Sequence, residues 1–120
     1  MARFAAGDDL IFQLESGYGL LRVLAVETNA AGAEEVWHLM VYEELFPNVE
    51  AAEEALATPD KLHTRAAHLA LTERAFERTP AARLGHRLLT EHELAAYRLW
   101  VRQGSNDVSD RSVLLLLGLR

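Results

Sequence analysis

The side chains of this chain that could do chemistry are histidines, tyrosines and carboxylates, because there is no cysteine to act as a nucleophile, a thiolate ligand or a disulfide. Between residues 38 and 44, His38, Met40 and Tyr42 alternate along an apolar run, which puts them on one face of a strand, and Glu43 and Glu44 follow directly. An imidazole and a carboxylate that converge in a cleft form an acid–base pair. The same residues suit better a partly buried histidine hydrogen-bonded to a neighbour, with solvated acids at a strand end, because a lone histidine beside an unconnected acid pair is common in non-enzymes. No catalytic residue is assigned on this pattern alone. A small-ligand or enzymatic pocket around His38, Tyr42 and Glu43 stands as the alternative reading of the chain.

Two further histidine pairs invite a metal reading, His63 with His68 and His86 with His92. Neither spacing puts both rings on one face of a helix, and the odd separation of His63 and His68 sends them to opposite faces of a strand. No metal and no cofactor is expected. Gly17-Tyr18-Gly19 lacks the third glycine, the lysine and the following helix of a phosphate-binding loop, so it reads as a turn. Tyr18 at its tip is either a recognition aromatic or a tucked ring.

Charge separates along the chain. Residues 1–60 sum to −10 and residues 61–120 to +4, within a total of −6. Opposite signs offered by two halves speak to association. On the acidic side Glu50, Glu53 and Glu54 fall in one short segment; on the basic side Arg74, Arg78, Arg83 and Arg87 supply planar guanidinium groups suited to carboxylates or phosphates. These arginines either face a partner or pair internally with the acidic half at small gain per exposed pair. The acidic total disfavours nucleic acid. No export signal is visible near Met1–Gly7, and the run Val113–Leu117 is far short of the roughly twenty apolar residues of a membrane span. A cytoplasmic protein with no membrane partner is expected.

The elements that would position these groups follow from local patterning. Leu10, Phe12 and Leu14 alternate with Ile11, Gln13 and Glu15; the glycine-bracketed turn then returns Leu20 to Glu27 antiparallel, its glycines supplying positive-φ positions. A second turn over Asn29 to Ala33 leads to a third strand, Val36 to Tyr42. Asn48 caps a short acidic helix over 49–57, a strand is favoured around Ala67 to Leu71, and Thr90-Glu91-His92-Glu93 has capping-box spacing. The helix it opens carries Leu94, Tyr97, Trp100 and Val101 on one stripe and stops at Gly104. Val113–Leu117 reads as a strand buried on both faces that returns to the sheet.

The stretch Gly7-Asp8-Asp9-Leu10-Ile11-Phe12 through Gly17-Tyr18-Gly19-Leu20-Leu21-Arg22-Val23-Leu24 resembles the start of small SH3-like barrels of the kind found in some bacterial immunity proteins. There a Gly-Asp pair leads into a strand, and a Gly-aromatic-Gly turn leads into a strand bearing Arg and Val. Asp9 and the later helices depart from that pattern. The resemblance implies a small binding protein that blocks a toxin or docks on a partner, with no catalytic residues to carry over. The expected fold is one α+β domain over 1–120, a strongly bent antiparallel sheet or partial SH3-like barrel of about five strands with two helices. The expected function is a non-enzymatic protein-interaction module, an immunity-like inhibitor or accessory subunit, with a homodimer as a variant.

Overall fold

The computed structural model describes residues 4–28, 34–104 and 107–120. Strands β1 (Asp8–Leu14), β2 (Gly17–Thr28) and β3 (Glu35–Phe46) form an antiparallel meander. The turn expected over 29–33 lies outside the described residues. Strand β4 (Thr64–Thr72) pairs with β3, and β5 (Ala81–His86) pairs with the other side of β1, giving the order β4-β3-β2-β1-β5. β4 and β5 are the two edges, so the sheet is open. Helices α1 (Val49–Leu56), α2 (Glu73–Glu77), α3 (Glu91–Arg102) and α4 (Val113–Leu117) complete the α+β domain, with a single 3₁₀ turn over Pro59–Lys61.

Both faces of this sheet are apolar. Leu10, Phe12 and Leu14 of β1, Leu21 and Val23 of β2, and Trp37, Leu39 and Val41 of β3 make the first face, covered by Phe76 of α2 and Val113 of α4. Trp37 stacks on Phe76 with ring centroids 4.2 Å apart, and Phe4 meets both rings edge-on. Ile11, Leu20, Leu24, Met40 and Tyr42 make the second face, covered by Ala52 of α1 and by Leu94 and Tyr97 of α3. Burial of apolar area on two sides of one sheet is the main source of stability in a chain without disulfides.

Several expectations are corrected. Val113–Leu117 is a helix, not a strand, and it does not pair into the sheet. Ser112 accepts a hydrogen bond from the Leu115 amide at its start, Gly118 adopts φ 67° at its end, and leucine is a good helix former. Among the described residues four helices stand where two were expected, the additions being the short α2, capped by Thr72, and α4. The strand β5 carries too little apolar alternation to announce itself. The two glycines of the first turn do different jobs. Gly17 has φ 154°, whereas Gly19 has no positive φ and instead makes room for a ring: a Cβ there would lie 2.5 Å from Phe12 Cζ.

Phe12 is buried and cannot swing away. Gly19→Ala should therefore cost about 1–3 kcal/mol as an overpacking change, measured by urea unfolding. An unchanged midpoint would contradict that packing.

Candidate functional site

Three groups of polar side chains gather on the second face of the sheet, beneath or beside α3. The first centres on Arg22, whose side chain is 0% exposed. Its register partner Asp9 is nearly as buried, and the two approach to 3.4 Å. Arg22 Nη1 donates to the Gly7 carbonyl at 2.9 Å, and Nη2 donates to the Arg87 and Leu88 carbonyls and to Glu93. Its Nε lies 2.6 Å from Glu93 Oε2, an oblique ion-pair contact. Thr90 and Glu93 also form the capping box that starts α3. Burial favours the protonated Glu93, but the Thr90 amide and Arg22 outweigh it and hold its carboxyl below the usual range.

The second group is a chain of Glu27, His38 and His68. His38 is fully buried; its Nε2 lies 2.9 Å from Glu27 Oε1 and its Nδ1 lies 2.8 Å from His68 Nε2. Tyr97 donates to the same Glu27 oxygen, and the ring of Trp100 lies 4.9 Å from that of His38. A carboxylate oxygen beside Nε2 places the His38 proton there, so Nδ1 accepts from the Nε2–H of His68. Burial lowers the His38 pKa against the pull of Glu27, and burial together with the neighbouring His38 brings His68 down to about 4. Burial and the hydrogen bond to Glu27 push Tyr97 up to about 12.

This chain exists because β2 carries a bulge. The pairing of β2 with β3 shifts between Val23 and Ala25, so Val26 faces Trp37 on the first side and Glu27 joins His38 on the second. Strict alternation from Leu20 or Leu24 would send Glu27 to the opposite face. Its imidazoles spend their facing nitrogens on each other, and among the described residues no three His, Asp or Glu groups are placed to hold a metal. The arrangement is a chain of close polar contacts from a half-exposed carboxylate to a second imidazole, the Glu27–His38 contact an ion-pair approach and the His38–His68 contact a hydrogen bond.

The third group joins Arg87 and Tyr42. Arg87 Nε and Nη2 donate to the two oxygens of Asp9 at 2.8 and 3.1 Å, and Nη2 also donates to the Tyr42 hydroxyl at 3.1 Å. The Asp9 hydrogen bond raises the Arg87 pKa further, while burial and the Asp9 charge raise that of Tyr42.

The residues singled out in the sequence divide accordingly. His38 and Tyr42 lie on one face but belong to separate groups, and Glu43 is exposed away from both. His63 pairs with Glu44, which raises the imidazole pKa, and His86 pairs with Asp8. Tyr18 is partly buried against the second core. Arg74 holds Asp110 at 2.7 Å, Arg78 donates to the Asp110 carbonyl, and Arg83 lies 3.8 Å from Asp8. Glu50, Glu53 and Glu54 are exposed on α1. Glu27, Tyr97, Trp100, Asp9 and Arg22 enter these groups without having been singled out as site residues. No family model, curated protein or solved structure matches the chain.

The fully buried His38 and the half-buried His68 contribute to the acid side of the stability profile. Above pH 6.5 these two histidines are neutral in both folded and unfolded chains; below it the unfolded chain binds protons that the folded chain refuses, His68 until about pH 4. Stability should therefore fall progressively from pH 6.5 toward 4, and His68→Gln should flatten the upper part of that slope in urea melts. The His68 ring signal should titrate near pH 4 by NMR; titration at 6.5 would contradict the buried pair.

Proposed function

We propose that this chain is a non-enzymatic protein-interaction module, of the immunity-like inhibitor or accessory-subunit kind, that docks a basic partner on the outer face of α1. The observation that carries this reading is the fate of the charges. Arg22, Arg74, Arg83 and Arg87 each lie against an acid of the same chain. Glu50, Glu53 and Glu54, at helical spacing on the solvent side of α1, have no ion-pair or hydrogen-bond partner among the described residues. Such a face presents a one-signed field to solvent, which speeds encounter with a cationic surface and is screened by salt.

In this reading the bulged β1–β3 meander serves as an SH3-like platform, and a cytoplasmic setting belongs to it. The charge-polarised surface of the sequence is thereby reassigned: its acidic part is the contact, and its arginines are internal ties. Tyr18 packs partly buried against the second core, and this reading centres the contact on α1.

Association measured with the partner recovered from native lysate should weaken steeply between low and physiological salt. Reversal of Glu50, Glu53 and Glu54 to Lys should abolish it, while Glu77→Lys on the exposed side of α2, which covers the other face of the sheet, should leave it intact. Equal binding of the triple variant, or binding indifferent to salt, would contradict the acidic-face reading.

A further inference from the structure

A cavity of about 530 Å³ opens between α3, the β3–β4 pair and the 3₁₀ turn. Its size falls in the range of about 300–1,000 Å³ usual for small-molecule sites. The apolar walls come from Met40 of β3, Leu62 after the 3₁₀ turn, Ala67 of β4, and Ala95 and Ala96 of α3. The cavity exists because α3 presents two alanines here; larger side chains at those positions would fill it. None of its lining residues belongs to α1, so this site is separate from the acidic face.

Its polar end is formed by Arg87 and Tyr42. The Tyr42 hydroxyl accepts from Arg87 Nη2, so its own proton remains to be donated, and the ring is 5% exposed. Arg87 spends Nε and Nη2 on Asp9 and Tyr42, and its Nη1 makes no hydrogen bond among the described residues. Glu93, also on the wall, accepts from neither group: Oε1 accepts from Arg22 and Thr90, and Oε2 lies against Arg22 Nε. Asp60 and His92 sit at the rim. The protein thus brings two donors to the end of an apolar cavity, and no acceptor among the described residues takes the Tyr42 proton or those of Arg87 Nη1, a pattern that a bound oxygen would complete.

We propose that this cavity is a binding site for a small molecule with a short branched or aromatic apolar body ending in a carboxyl-type oxygen, carboxylate or carboxamide, held by Arg87 and Tyr42. The apolar body fills the space against Met40, Leu62 and Ala96, and the terminal oxygen accepts from the Tyr42 hydroxyl and the guanidinium. The Arg87–Asp9 and Arg22–Glu93 pairs balance in charge, so recognition rests on donor geometry more than on net field. A terminal ammonium at that end of the cavity would meet the like charge of the Arg87 guanidinium and the Tyr42 donor.

The test is an NMR titration of the full chain with 3-methylbutanoate, 3-methylbutanamide and 3-methylbutylamine, following the methyl signals of Met40, Ala67, Ala95 and Ala96. The acid, the amide or both should shift these four signals together, and the amine should not; which of the two binds identifies the headgroup. Tyr42→Phe, which keeps the ring, should weaken binding about tenfold, the loss of one hydrogen bond. Ala96→Leu, a favourable helix residue that occupies the cavity, should abolish it while the chain stays folded. Absence of saturable shifts with acid and amide alike, equal binding of the amine, or unchanged affinity in both variants would overturn the proposal.

Discussion

A guanidinium with no access to solvent holds this molecule in its shape. Arg22 projects from the centre of β2 onto the face that α3 covers, and taking a charge out of water costs several kcal/mol unless it is fully matched. The match comes from three separate places: the Gly7 carbonyl and Asp9 at the start of β1, the Arg87 and Leu88 carbonyls after β5, and Glu93 in the first turn of α3. Each of these segments is distant in sequence from at least one other, so Arg22 fixes where the late part of the chain meets the early part. Buried ion pairs add little net stability compared with apolar packing. Here the arrangement specifies position: α3 can start in only one place without leaving a carboxylate or a guanidinium unmatched.

The rest of the second face follows. With its N-terminal turn anchored through Glu93, α3 runs across the sheet so that Tyr97 and Trp100 reach Glu27, His38 and His68. One end of the helix is therefore held by charge and the other by a ring cluster. Between the two anchors α3 carries alanines, and the sheet beneath is left uncovered there, which is the origin of the cavity beside Tyr42. The first face is simpler, an aromatic core of Trp37, Phe76 and Phe4 with the leucines of α4. That division leaves the three polar groups around Arg22, His38 and Arg87 on one side of the sheet.

Local rules made much of this legible in the sequence. The β1–β2 hairpin, the meander into β3, the Asn48 cap of α1 and the Thr90–Glu93 capping box each depend on a few neighbouring residues, and each appears where its chemistry demands. The leucine run at 113–117 has no period to read, and its identity lay in the flanking Ser112 and Gly118. The polar groups were hidden for a different reason. Glu27 meets His38 only through a bulge that reverses strand parity, and Arg22 meets Glu93 across most of the chain. The charge asymmetry was plain from composition. Its meaning depended on which arginines had acids within reach, and Arg74 found Asp110 in its own half of the chain.

The account is tested most directly by hydrogen exchange on Arg22→Met, which keeps an unbranched apolar stem in β2 and removes the charge. Asp9 and Glu93 are then buried without their shared partner. Amides of residues 85–102 should lose protection by orders of magnitude more than those of the β2–β3 pair. Uniform loss across the sheet, or α3 protected as in the parent protein, would contradict the claim that one buried guanidinium positions the helix.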